Sequence, residues 1–186
     1  MEFRRWIMGQ LDRAPHILKR MTLRKKAKDY NLKIFLETGT LFGDMTYALR
    51  NDFDLLISIE LDDYLFNRAS KRFRKNKKIK LFHGDSGVKI VEALEIIDRP
   101  CLFWLDAHYS EGITAHGETM TPIFNEIKHI FNHRIQGHVI VVDDARLFNG
   151  TDGYPKLKEI QDFVTLINND YFTWIENDTI NIAKAR

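Results

Sequence analysis

Residues 33–44 read KIFLETGTLFGD, and this stretch decides the fold. A short apolar run, 33–37, ends on Glu37. It then breaks into Thr38-Gly39-Thr40-Leu41-Phe42-Gly43-Asp44, an E-x-G-x-x-x-G turn that leads into a helical period. Continuous apolar runs bounded by turn residues are the signature of strands covered on both faces. Four more follow: 55–60 (LLISIE), 79–83 (IKLFH), 101–106 (CLFWLD) and 139–143 (VIVVD). Between and after them, helices are predicted near 44–51, 62–75, 86–98, 119–132 and 156–169. Such alternation implies right-handed crossovers and a parallel, doubly wound α/β sheet. The chain ends differently. Runs 171–175 (YFTWI) and 179–183 (TINIA) are separated only by Glu176-Asn177-Asp178, which is hairpin spacing with turn chemistry. The expectation is a seven-stranded sheet, five strands parallel and the last two an antiparallel hairpin.

Composition sets the outer bounds. The chain has 186 residues, 44% of them hydrophobic and 29% charged, with ten Gly and four Pro. That suits one ordered domain, 1–186, made of a helical arm over 1–30 and a core over 31–186. The single cysteine, Cys101, rules out an internal disulfide framework. No apolar stretch approaches membrane-spanning length, and residues 1–15 lack the apolar segment of a signal peptide, so a cytoplasmic location without a membrane span is expected. The formal net charge is only +2, but residues 1–30 carry nine Lys and Arg against three acids, a net of +6. A second run, 68–80, holds eight Lys and Arg and no acid. Either patch suits a polyanion, yet Phe66 and Phe73 fall at helical spacing like core residues, which favours solvated helix faces.

Ligands of open α/β sheets sit beyond the carboxyl ends of the strands, so the residues that end each strand carry the information. Gly39 and Gly43 would let backbone approach a ligand closely. The turn is neither a dinucleotide fingerprint nor a phosphate loop, and it lacks any Lys or Arg for a phosphate. Glu37 suits a cationic ligand group instead. Glu60, 23 residues further on, is placed to accept both hydroxyls of a ribose. The third strand ends His83-Gly84-Asp85-Ser86, where Asp85 is suited to an exocyclic amine and Ser86 to capping the next helix.

With ETGTLFG, ISIELD, GDS and the closing hairpin in this order, the chain resembles the class I S-adenosylmethionine-dependent methyltransferases over about residues 33–185. The resemblance implies a Rossmann-like methyltransferase fold. It also implies a cofactor set of Glu37, Gly39, Thr40, Gly43, Glu60, Asp85, Ser86 and Asp106. The first four would surround the amino-acid end of S-adenosylmethionine, with Glu60 on the ribose and Asp85 at the adenine edge.

Strand four ends in Asp106 and strand five in Asp143-Asp144. Adjacent parallel strands would bring these three carboxylates together, and without a basic partner they would repel one another strongly. A hard divalent cation such as Mg²⁺ would relieve their repulsion. The alternative has Asp106 capping its loop and Asp144 paired with Arg146. These segments look like metal-dependent O-methyltransferases of the catechol and macrocin types. LFWLDAHYS, TPIFNEI and HVIVVDDARLFNG look closer still to uncharacterised bacterial methyltransferases of polysaccharide gene clusters. One departure stands out: the catechol type has a catalytic lysine where this chain has Tyr109. His108 is then the candidate general base, with Asp106 beside it, and an imidazole can take a hydroxyl proton near neutral pH.

The sequence therefore predicts a metal-assisted O-methyltransferase acting on a small-molecule or carbohydrate hydroxyl, with homodimer formation compatible. The loops 109–121 and 146–155 and the arm are the expected acceptor determinants. Two rivals stand beside it, a nucleic-acid methyltransferase using the basic arm and a non-catalytic cofactor-binding domain. The first is disfavoured because no N/D-P-P-Y/F tetrad or catalytic cysteine ends strand four.

Overall fold

The computed structural model describes residues 2–9, 11, 13–106 and 122–185. Seven strands form one sheet: β1 (Ile34–Thr38), β2 (Leu55–Glu60), β3 (Ile79–His83), β4 (Cys101–Leu105), β5 (Val139–Val142), β6 (Tyr171–Glu176) and β7 (Thr179–Lys184). Their order is β3-β2-β1-β4-β5-β7-β6. The first five run parallel, β7 is antiparallel to β5, and β6 is antiparallel to β7. Direction reverses between β1 and β4, so the switch point lies where the first turn leaves the sheet.

The described residues form seven helices: α1 (Glu2–Ile7), α2 (His16–Asp29), α3 (Asp44–Leu49), α4 (Asp63–Phe73), α5 (Ser86–Glu95), α6 (Pro122–Phe131) and α7 (Leu157–Ile167). Strand side chains alternate between two apolar layers. Ile34, Leu36, Ile57 and Phe103 pack under α5, α6 and α7. Phe35, Leu56, Leu102 and Trp104 face α2, α3 and α4. Nearly all of β1, β2, β4 and β5 is buried, as the continuous apolar runs require. Of the helix expected over 119–132, the described part begins at Pro122, whose missing N–H is no loss at a first helical position.

Two differences at the sheet's edge matter for function. The expected strands ending in Asp106 and Asp143 stop one residue earlier. Both aspartates still donate their backbone N–H to the neighbouring strand, Asp106 to Thr38 O at 3.2 Å and Asp143 to Leu105 O at 3.0 Å. The sheet thus sets their spacing. Asp144 then turns left-handed at φ 54°, a conformation aspartate tolerates better than most residues, and starts a short 3-10 turn, Ala145–Leu147.

The arm is the other difference. The apolar residues of α2 are only partly its packed face: Leu23 and Ala27 are buried, but Met21 is 56% exposed. The buried stripe is Lys19, Thr22, Leu23, Lys26 and Ala27. Lys26 Nζ reaches Glu176 at 2.6 Å and lies 4.5 Å from the Trp174 ring centre, while Asn177 Nδ2 donates to Thr22 Oγ1 at 3.0 Å. Two lysines sit in the stripe because the β6–β7 turn and the end of β5 supply acids to meet them. Among the described residues, no helix is long and apolar enough to cross a membrane.

Candidate active site

The carboxyl ends of β1, β4 and β5 open into a cavity of about 390 Å³, within the range of small-molecule sites. Its floor is Glu37, Gly39, Thr40, Asp106, Asp143 and Asp144. One wall is Leu41, Phe42, Asp44 and Met45, and the arm covers it with Arg13, Ala14, Pro15, His16 and Lys19. The structure thus gathers the first turn and all three strand-end aspartates at one place. Glu60, which ends β2, and Asp85 and Ser86, which follow β3 at the start of α5, do not line this cavity.

Glu37 is fully buried, and the hydroxyls of Thr46 and Ser58 each donate to its Oε1 at 2.7 Å. Burial pushes its carboxyl up to about 7 against those two bonds. Thr40 Oγ1 meets Ser58 Oγ at 2.5 Å, so the turn is tied to β2 by side chains as well as by the Gly39 N–H, which donates to Ile59 O at 2.9 Å. Gly43 has a different role from the one expected. It sits at φ 72°, and a Cβ there would lie 2.7 Å from the Phe73 ring. It is a packing glycine that lets α4 press against the turn.

Glu60 accepts from two backbone N–H groups, Leu41 at 2.7 Å and Asp62 at 2.9 Å. Each carboxylate oxygen keeps further acceptor capacity for a ligand hydroxyl. Asp85, not Ser86, caps α5, its Oδ1 accepting from Gly87 N at 2.7 Å. The helix starts at Ser86 as expected, and only its cap differs. Ser86 instead is buried and bonds to Glu126 of α6, whose carboxyl burial raises to about 7. Nothing in the sequence marked Glu126 beyond its place in an apolar helix.

The three aspartates do not meet without a basic partner, which corrects the premise of the metal site. Lys19 Nζ lies 2.6 Å from Asp143 and 2.9 Å from Asp144, and Arg146 Nη1 is 2.8 Å from Asp144. The pairing of Asp144 with Arg146 is the one the sequence offered as the alternative. Arg146 also pairs with Asp178 of the hairpin turn. Burial alone would lower the Lys19 pKa, but Asp143 and Asp144 outweigh it and hold the ammonium charged. Desolvation works against ionised Asp144, yet Arg146 and Lys19 bring it below its ordinary value. Asp143, desolvated and facing Asp106, stays raised. Among the described residues, no three His, Cys, Asp or Glu side chains come together as a metal-holding group. A divalent cation does not fit this arrangement, because an ammonium already fills the place between the two carboxylates.

His108 and the loop 109–121 lie outside the described residues. A histidine the sequence reading passed over, His16, lines the cavity from the start of α2. Desolvation by the surrounding chain first, and Arg20 second, lower its pKa from the ordinary value, which favours the neutral imidazole although the residue keeps an exposed side. Its position could be found only once the arm was seen to fold over the strand ends.

No family model matches the sequence, and no curated protein matches it. Solved structures do match in shape. The O-methyltransferase TomG from Streptomyces achromogenes, in complex with SAM, is 17% identical with a TM-score of 0.64, over 97% of this chain and 85% of that one. An O-methyltransferase from Bacillus cereus in complex with SAH is 14% identical at 0.64, over 97% and 86%. A candidate rRNA methylase from Clostridium thermocellum is 12% identical at 0.61, over 89% and 96%. At these identities the likeness speaks for the fold: this chain has the fold of the class I methyltransferases.

Proposed function

We propose that this protein is an S-adenosylmethionine-dependent methyltransferase that acts on a hydroxyl of a small molecule or carbohydrate. One observation carries the reading. In a sheet of order 3-2-1-4-5-7-6, the cavity at the switch point joins an acidic, phosphate-averse turn to the aspartates that end β4 and β5. A ligand whose amino-acid end carries positive charge suits Glu37, and a ribose suits Glu60, whose two oxygens are held in place by backbone N–H groups. Gly39, at φ 81°, lets the backbone of the turn approach that ligand. We assign the adenine end to Asp85 and Ser86, at the start of α5. The SAM and SAH complexes among the structural neighbours support the same cofactor.

When bound, S-adenosylmethionine supplies a methyl group activated on a sulfonium. The chain's part is to hold donor and acceptor in line and to take the acceptor's proton. Neutral His16 is the base we favour from the cavity lining, and His108 remains the one proposed from the sequence. The Mg²⁺-assisted form of the reading needs Lys19 to leave Asp143 and Asp144, so it is not part of the proposal. The nucleic-acid alternative is weakened because four of the nine basic residues in 1–30, Lys19, Arg24, Lys25 and Lys26, are paired with acids of the same chain.

The test is calorimetric titration with S-adenosylmethionine, its demethylated product, NAD and ATP. One site for the first two, weakened by Glu60→Ala, is the expected result. Comparable binding of NAD or ATP with none of the methyl donor would overturn the reading. Salt-sensitive binding of RNA, together with methylation of it, would favour the alternative.

A further inference from the structure

The feature the proposed reaction leaves unexplained is a lysine from the arm, only 8% exposed, buried at the acceptor end. Desolvating an ammonium is costly unless it is paired and fully bonded. Lys19 Nζ donates to Asp143 Oδ2 at 2.7 Å and to Asp144 Oδ1 at 2.9 Å, so its charge is shared between two consecutive carboxylates. Arg146, shared between Asp144 and Asp178, adds a second cation, so Asp144 is met from both sides by groups of the same chain. A divalent cation would seek the same carboxylate oxygens at about 2.0–2.6 Å, and the ammonium already stands 2.6 Å from Asp143 and 2.9 Å from Asp144.

Lys19 is not a wandering side chain. One turn further along α2, Thr22 is hydrogen-bonded to Asn177, and Lys26 is bonded to Glu176 and set over Trp174. Ala14 N, just ahead of the helix, donates to Asp178 at 3.4 Å. The helix is therefore moored along the β6–β7 turn by contacts that do not involve the aspartate pair, and this mooring aims Lys19 at the end of β5.

We propose that Lys19 is the resident cation of the acceptor end: its ammonium takes the place between Asp143 and Asp144 where a divalent cation would bind, so cation binding there requires α2 to undock. Lys19 is on this view a positioning residue, locking the arm over the cavity and fixing one positive charge near the acceptor. The inference rests on the proposed reading for its meaning, since it concerns the same site. Its test reads the aspartate pair alone, while cofactor titration reads the ends of β1 and β2, so the two fail separately.

The probe is Mn²⁺, followed by the loss of its free-ion EPR signal on the full chain, with amide hydrogen exchange reporting on α2. Wild type should show no site that Asp143→Asn removes. Lys19→Met should gain one site, about tenfold or more tighter than anything wild type offers, because the occluded fraction of the pair is released. Adding Asp143→Asn to Lys19→Met should abolish it. Should Lys19→Met fail to fold, as judged by circular dichroism, Lys19→Gln removes the charge while keeping a donor and should gain the same site. Two results overturn the proposal. One is Mn²⁺ binding to wild type that Asp143→Asn abolishes while α2 stays protected. The other is a neutral Lys19 variant that folds and binds Mn²⁺ no better than wild type.

Discussion

Replacing Glu60 tests two links of the argument at once, because the carboxylate is both a clasp and a candidate ribose acceptor. One oxygen takes the N–H of Leu41, from the turn after β1, and the other takes the N–H of Asp62, ahead of α4. Glu60→Ala strands both donors in a partly buried setting. Hydrogen bonds to charged groups contribute about 1.5–3 kcal/mol each. Water can reach the vacated space and recover part of that loss, so about 3 kcal/mol is the expected cost. For a chain of this size each kcal/mol corresponds to about 2–4 °C, giving a fall in Tm of about 6–12 °C without any ligand. Glu60→Gln keeps one acceptor oxygen and should lose about half as much. Circular dichroism melts of the ligand-free protein read the clasp, and titration with S-adenosylmethionine reads the ribose contact. An alanine variant that melts with wild type refutes the clasp. One that melts early but binds the cofactor as tightly as wild type refutes the ribose role.

Gly43→Ala should cost about 2–5 kcal/mol, from a left-handed conformation at φ 72° and the overlap of the new Cβ with Phe73. Adding Phe73→Leu should return only the overlap part, read by urea unfolding. Glu126 supplies a pH test. Its folded pKa of about 7 exceeds the ordinary 4.5, so its contribution to stability is full below pH 4.5 and is lost as pH rises through 7. Glu126→Gln should therefore gain on wild type by on the order of 3 kcal/mol across that window, and parallel stability curves would contradict the assignment. His16→Gln should lower kcat by about 10²–10⁴ if His16 is the base. The wild-type rate should then rise through an ionisation below 6.5. If His108→Gln alone has that effect, the base is His108.

The strands were legible because burial on both faces writes itself as continuous apolar runs, although β4 and β5 end one residue earlier than the runs do. Once β4 and β5 are read as adjacent and parallel, Asp106 and Asp143 must lie side by side, and they do. The Asp85 cap was misread by one residue because Asp and Ser are nearly equal N-caps and stand next to each other. Lys19 could not be read. Positions 19, 22, 23, 26 and 27 have the spacing of a buried helix stripe, yet two of them are lysines, so the stripe looks solvated until the acids opposite are known. Those acids, Asp143, Asp144 and Glu176, are distant in sequence, and no local pattern links them to the arm.

The charge asymmetry of the chain takes on a different meaning in the folded state. A net of +6 in residues 1–30 looks like an address for polyanions when counted along the sequence. In the fold, part of that charge is the complement of acids that the sheet brings to one edge. The aspartates that end β5 and the glutamate that ends β6 would repel one another across the arm's berth without it. Because Lys19 and Lys26 are buried, salt screens their pairs far less than it screens surface charges. The arm is thus held in part by carboxylates that line the cavity, and it brings His16 and Lys19 there in a single step. Cavity roof, counter-charge and candidate base share one helix, so a change that loosens α2 should remove all three together.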